Sequence, residues 1–159
     1  MYKVFQIKIS NEVSDFVNSN DRGHLGAEEK YPEYKAHMAV MHSGAKGFKG
    51  DMFNHYTQVC DVATFNTEGN HLEEVFKILN GYWYDDETGE DNVFDEFVSG
   101  FKMKTITRKN GEVVTYRDMH SLSVGDIVFD SVDDSYHIVD SWGFKDITSD
   151  VLEGVQQTA

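Results

Sequence analysis

The pair Asn110-Gly111, set between "KMKTITRK" and "EVVTY", constrains this chain more than any other two residues. Asn-Gly between β-prone runs is the favoured centre of a two-residue type I′ turn, and such a turn imposes antiparallel pairing and register on its strands. A second strand pair is predicted just downstream, "VGDIVFD" and "SYHIVDSWGF" around the polar turn "SVDD". Hairpins in succession imply an antiparallel sheet, and a sheet with an apolar face needs something to cover it.

The N-terminal half supplies both more strand and the cover. Residues 2–9, "YKVFQIKI", alternate, with Phe5, Ile7 and Ile9 on one face and Val4 on the other, the period of a β-strand. Ser10 is placed to cap a short helix carrying Val13, Phe16 and Val17 at helical spacing, ended by "NSNDRG". Pro32 opens a second helix, "YPEYKAHMAVMH", striped by Tyr31, Tyr34, Met38 and Met41, since proline is tolerated in a first helical turn. "SGAKGFKGD" reads as a flexible loop, because its glycines and lysines lack the preceding strand and the spacing of a phosphate-binding loop.

"YTQVCDV" predicts a strand over Tyr56–Val62, buried on both faces through Val59, Cys60 and Val62. Asn70 with Glu73 resembles a capping box, Leu72, Val75, Phe76 and Leu79 recur at helical spacing, and Gly81 stands where the helix should stop. The order is β-α-α-β-α, an acidic segment, then two hairpins. The expected class is α+β, an antiparallel sheet faced by two to four short helices, with C-terminal hairpins. Residues 1–147 form a single domain with an acidic insertion at about residues 82–100, and 148–159 form a short helix or a frayed tail.

Charge is distributed unevenly. Of a net charge of −14, residues 1–50 carry +1, residues 51–100 carry −11 and residues 101–159 carry −4. Such a field repels nucleic acid and anionic lipid and attracts basic protein surfaces. Lys102, Lys104, Arg108 and Lys109 form a local basic cluster, read as solvated within this acidic chain, so the expectation is no direct nucleic acid and no membrane partner. The single cysteine, Cys60, cannot form an intrachain disulfide, which fits a reducing compartment. No secretory leader and no apolar run of roughly 18–20 residues is found, so the expected location is cytoplasmic.

Motifs for chemistry are missing. An EF-hand register starting at Asp85 puts Gly89 at a ligand position and Glu90 where the turn glycine belongs. The histidines, His24, His37, His42, His55, His71, His120 and His137, do not fall at metal-ligand spacing on one helix face. No G-x-S-x-G elbow occurs, and Cys60 lies in a strand expected to be buried. The expectation is therefore no catalytic residues, no cofactor, no metal site, and a chain that is not an enzyme.

What remains is "GYWYDDETGEDNVFDEF", Gly81 to Phe97, where seven of the twelve residues from Asp85 to Glu96 are acidic and none is basic. Asp91 is placed to cap a helix over "NVFDEFVS", turning Phe94, Phe97 and Val98 inward and Asp95 and Glu96 outward. Carboxylates about 5–6 Å apart along a helix face approximate the spacing of phosphates on a strand. Tyr82, Trp83 and Tyr84 stand beside them, and aromatic anchors with a charged rim are a common interface composition. The candidate partner-binding residues are Tyr82, Trp83, Tyr84, Asp85, Asp86, Glu87, Glu90, Asp91, Asp95 and Glu96.

The stretch "MHSLSVGDIVFDSVDDSYHIVDSWGF" resembles a segment of small, mostly uncharacterised accessory proteins of bacteriophages and plasmids, through Ser121, Leu122, Ser123, Val124, Gly125, Asp126, Gly143 and Phe144. "YKVFQIKIS" and "YTQVCDV…LEEVFKILNG" are similar to such proteins as well. Physically, Ser123–Asp126 is a turn in which Gly125 is free to take positive φ. The resemblance implies a phage or mobile-element product acting in bacterial cytoplasm. Together with the acidic segment, it points to a protein that binds and modulates or inhibits a host nucleic-acid-handling protein, such as RNA polymerase, a nuclease or a defence complex. The acidic face would imitate DNA. The alternative is an accessory domain or small enzyme whose acidic segment is a solvated loop.

Overall fold

The computed structural model describes residues 1–19, 23–64, 71–80 and 96–158, with residues 156–158 described by backbone alone. It is α+β. A six-stranded antiparallel sheet runs in the order β3-β2-β1-β6-β7-β8, and β4 and β5 form a separate two-stranded ribbon. The strands are β1 Tyr2–Ile7, β2 Tyr56–Val62, β3 Val98–Ser99, β4 Met103–Thr107, β5 Val113–Arg117, β6 Ile127–Asp130, β7 Ser135–Val139 and β8 Phe144–Asp146. The described helices are α1 Asn11–Asn18, α2 Gly23–Lys30, α3 Pro32–Ser43, α4 His71–Leu79 and α5 Thr148–Thr158.

Strand alternation sends β1 into two cores. Tyr2 and Val4 join Val62, Val75, Ile78 and Val128 in the layer under α4. Phe5 and Ile7 join Val40, Tyr56, Ile127, Ile138 and Val151 in the layer on which α3 and α5 lie. Each fully buried Val or Ile contributes about 1.5–3 kcal/mol of transfer free energy, so helices on both faces are what stabilises a sheet apolar on both sides. A register shift where Val4 faces Cys60 but Phe5 faces Gln58 leaves Val59 as an extra residue. That bulge turns consecutive Val59 and Cys60 into the same layer as Val62, under α4, so these three do not bury β2 on both faces as expected, and Tyr56 alone reaches the other core. Burial pushes the Cys60 thiol up to about 12.

Local signals at the N-terminus act as expected. The Ser10 side chain accepts from the Val13 amide at 3.3 Å, and Val13 packs with Ala27 and Tyr34 in a small cluster among α1, α2 and α3. Helix α2 was not anticipated, because "GHLGAEEK" has no apolar stripe. Its contact is made by small residues: a Cβ on Gly23 would lie 1.9 Å from the Val17 carbonyl oxygen. On α3 the expected stripe is displaced. Ala36 and Val40 face the main core, Tyr31, Tyr34 and Met38 face the small cluster, and Met41 is exposed.

Three further expectations are corrected. The glycine-rich stretch is not a loose loop but two 3-10 turns, Gly44–Gly47 and Gly50–His55. Gly50 and Gly154 of α5 meet backbone to backbone, a Cβ on Gly50 falling 1.8 Å from the Asp150 carbonyl oxygen. The helix expected through Ser99 gives way to β3, where Val98 pairs with Val62 and Ser99 with Asp61, because a sheet edge offers backbone partners that local capping cannot match.

The Asn110-Gly111 hairpin forms, but not through a two-residue turn. Thr107 pairs with Val113, the Gly111 amide donates to the Arg108 carbonyl at 2.9 Å, and only Gly111 has positive φ, 84°. The Asn110 side chain accepts from the Glu112 amide at 3.0 Å, which favours a three-residue loop with glycine in the left-handed position.

Candidate functional site

Gln6 lies on β1 in phase with Tyr2 and Val4, pointing into an apolar layer, and is fully buried. A buried amide must be satisfied, and its partners come from far along the chain. Its Nε2 donates to the His120 carbonyl at 2.9 Å and to Asp126 Oδ2 at 3.2 Å, while its Oε1 accepts from the His120 amide at 3.2 Å. Asp126 Oδ2 also accepts from the Ser123 amide at 2.9 Å. The Asp126 amide donates to the Ser123 carbonyl at 3.0 Å, and Gly125 has φ 96°, so Ser123–Asp126 is the turn its residue types imply. Gly125 is required sterically as well, since a Cβ there would sit 2.7 Å from Val40 Cγ2.

Hydrogen counting assigns the His120 ring. Both amide hydrogens of Gln6 are engaged elsewhere, so Nδ1, 2.8 Å from the Ser121 carbonyl, is the donor to that oxygen. Nε2 is then the nitrogen with a lone pair, on a ring roughly half exposed. Asp126 is 3.6 Å from Nδ1, an electrostatic neighbour beyond hydrogen-bond distance. Burial raises the Asp126 carboxyl to about 6, with His120 and the Ser123 and Gln6 donors pulling the other way. The carboxylate is built into the frame, and His120 is the part of it that meets solvent.

Outside this frame runs a groove of about 500 Å³ bounded by Gln6–Ser10, His37, Lys104, Tyr116–Met119 and His120. The ribbon forms its outer wall. Lys104 pairs with Tyr116 across the ribbon, on the strand face that also carries Asp118. Asp118 accepts from Lys8 at 2.8 Å. That bond, then Lys8, Lys104 and Lys102 as nearby charges, holds the Asp118 carboxyl below its ordinary range. His37 is lowered by burial and by His120 and His42, which favours its neutral form. Arg117 sits with its guanidinium 5.9 Å over the Phe101 ring.

The other end of β1 has the opposite sign. Tyr2 is flanked by Val62 and Asp130, and burial, then Asp130, Asp133 and Glu74, push its hydroxyl up to about 12. Asp61 pairs with Lys3 and Ser99, and the β6–β7 turn adds Asp133 and Asp134 around an 82% exposed Val132. Of the partner-binding residues expected from sequence, Tyr82, Trp83, Tyr84, Asp85, Asp86, Glu87, Glu90, Asp91 and Asp95 lie outside the described residues. Glu96 is exposed, and the Phe97 carbonyl accepts from Ala63 at 2.8 Å. Glu96, the last acid of the run, therefore precedes β3 at this same acidic end.

Among the described residues, no group of three or more His, Cys, Asp or Glu could hold a metal ion, and no helix is long and apolar enough to cross a membrane. Gln6 was missed in the sequence, although a glutamine in core phase on a strand is itself a signal of a buried polar partner. The chain matches no family model, no curated protein and no solved structure.

Proposed function

We propose that this protein is a non-enzymatic interaction module that docks its acidic end on a basic surface of a nucleic-acid-handling protein and modulates or inhibits it. The observation that carries this is the gathering of Asp61, Asp130, Asp133 and Asp134 at one sheet end, the end at which β3 begins just after Glu96. The Asp85–Glu96 run comes just before Val98 in sequence, and the four aspartates belong to the strands and turn at that end. Concentrated carboxylates steer a basic partner to encounter, and apolar anchors such as Val132 slow its release. The resemblance of Ser121–Asp126 and its flanks to phage and plasmid accessory proteins supports a bacterial host for the partner, with RNA polymerase, a nuclease or a defence complex as the target classes.

Capture from bacterial lysate at low and at high salt, with the retained partner identified, tests the reading. A basic nucleic-acid-handling protein held at low salt and released at high salt is expected. The same partner must be lost when the seven acids from Asp85 to Glu96 are changed to amides. Retention by the amide variant would overturn the proposal.

A second reading, a small enzyme, is favoured by one feature: the His120 Nε2 lone pair facing a groove. Under it, His120→Gln would abolish turnover of a substrate without affecting partner capture.

A further inference from the structure

The groove beside the ribbon reverses the sign of the molecule around it. Lys8 and Lys104 line it, with Lys102 close enough to act on the same carboxylate, Asp118, in a chain of net charge −14. These bases come from the residue after β1 and from β4 and the residue before it, more than ninety positions apart in sequence, and only the fold joins them.

Charge is not the groove's sole character. Tyr116, 40% exposed, stands beside Lys104 on the wall, and Ile7, Ile9 and Met119 contribute apolar surface. His37 and His120 supply ring nitrogens at the inner side. A groove of about 500 Å³ lies within the range of roughly 300–1,000 Å³ typical of small-molecule sites. An inorganic anion would use the ammonium groups but leave the aromatic and apolar wall uncovered. A ligand that carries both a phosphate and a flat ring uses both, since rings stack on an exposed tyrosine while lysines hold phosphate oxygens.

We propose that this groove binds a small phosphorylated ligand bearing an aromatic ring, of the class of a nucleoside monophosphate. Lys104 and Lys8 hold the phosphate, and Tyr116 stacks on the ring. The site is independent of the acidic end, so either can fail without the other.

Isothermal titration of the whole chain at low ionic strength with adenosine monophosphate, inorganic phosphate and adenosine tests it. The monophosphate is expected to bind more tightly than either fragment. Lys104→Ala should weaken it about tenfold, as expected for loss of one charge-assisted contact. Tyr116→Ala should remove its advantage over inorganic phosphate while leaving phosphate binding unchanged. Asp118→Asn should tighten both by removing the one opposing charge. Circular dichroism on each variant, with Lys104→Gln as a second neutralisation, separates loss of binding from loss of fold. No binding at millimolar monophosphate would overturn the proposal, as would folded Lys104→Ala and Lys104→Gln variants that bind like the parent chain.

Discussion

The two ends of β1 are about 17–20 Å apart, the length of a six-residue strand, and they are built in opposite ways. At the Tyr2 end the described residues present carboxylates from a turn, a strand edge and Glu96, around apolar residues with a loose contact of His71 with Thr64 and Glu74 beside them. At the Gln6 end a fully buried amide ties together His120, Ser123 and Asp126, and the charges outside it are mostly positive. The first end is a surface shaped by composition. The second is a frame, in which the Gln6 amide group, the His120 backbone and Asp126 Oδ2 have assigned partners and a groove lies beside them. A field can be made from many exchangeable acids, whereas a groove needs particular side chains at particular distances.

The contrast can be broken by mutation, and the largest effects belong at the framed end. Gly125→Val should cost several kcal/mol, on the order of 3–5, because positive φ and the contact with Val40 both oppose a branched side chain. Chemical denaturation measures it. Gln6→Leu should cost about 2–3 kcal/mol, since the His120 amide loses its acceptor and Asp126 loses a donor. Tyr2→Phe, at the same depth on the same strand face, should stay within about 0.5 kcal/mol. Equal costs for Gln6→Leu and Tyr2→Phe would erase the distinction between the ends.

Titration sharpens the comparison. The folded Asp126 carboxyl titrates near 6 against an ordinary value of 3.8, so between those values the folded state keeps a proton that the unfolded chain has released. The Asp126 contribution to stability is therefore intact below about pH 4 and falls by on the order of 3 kcal/mol as pH rises to about 6. Asp126→Asn should flatten that part of the denaturation-against-pH curve, and a slope unchanged by the substitution would remove Asp126 as its cause.

The smallest effects are expected at the acidic end. Changing Asp130, Asp133 and Asp134 together to Asn should leave stability within about 0.5 kcal/mol. It should instead slow association with a basic partner at low salt and have little effect at high salt, as stopped-flow mixing would show.

How legible these features were depended on the range of the forces that make them. Strands β1 and β2, the Ser10 cap and the Ser123–Asp126 turn follow from alternation, a capping hydroxyl and a glycine, all local. The Asn110-Gly111 hairpin was legible in its pairing but not in its turn, because the Asn110 side chain settled on the Glu112 amide. Helix α2 was invisible because its contacts use absent side chains, Gly23 against Val17, and glycine carries no hydropathy. Val98–Ser99 went to the sheet edge because its partners, Asp61 and Val62, lie more than thirty residues upstream. Of the site, Asp126 was seen only as a turn residue and His120 only as one isolated histidine.

Read alone, the sequence determined the α+β class, the excess of acid between residues 51 and 100, and the turns that depend on a residue's own conformational freedom. Those properties are additive or local, so order along the chain is enough to read them. Tertiary structure decided that Gln6 meets His120 and Asp126 across more than a hundred residues, and that Lys8 joins the bases of the ribbon in one groove. A hydrogen bond and a screened charge act over a few ångströms of space, and only the folded path of the chain says which residues come that near.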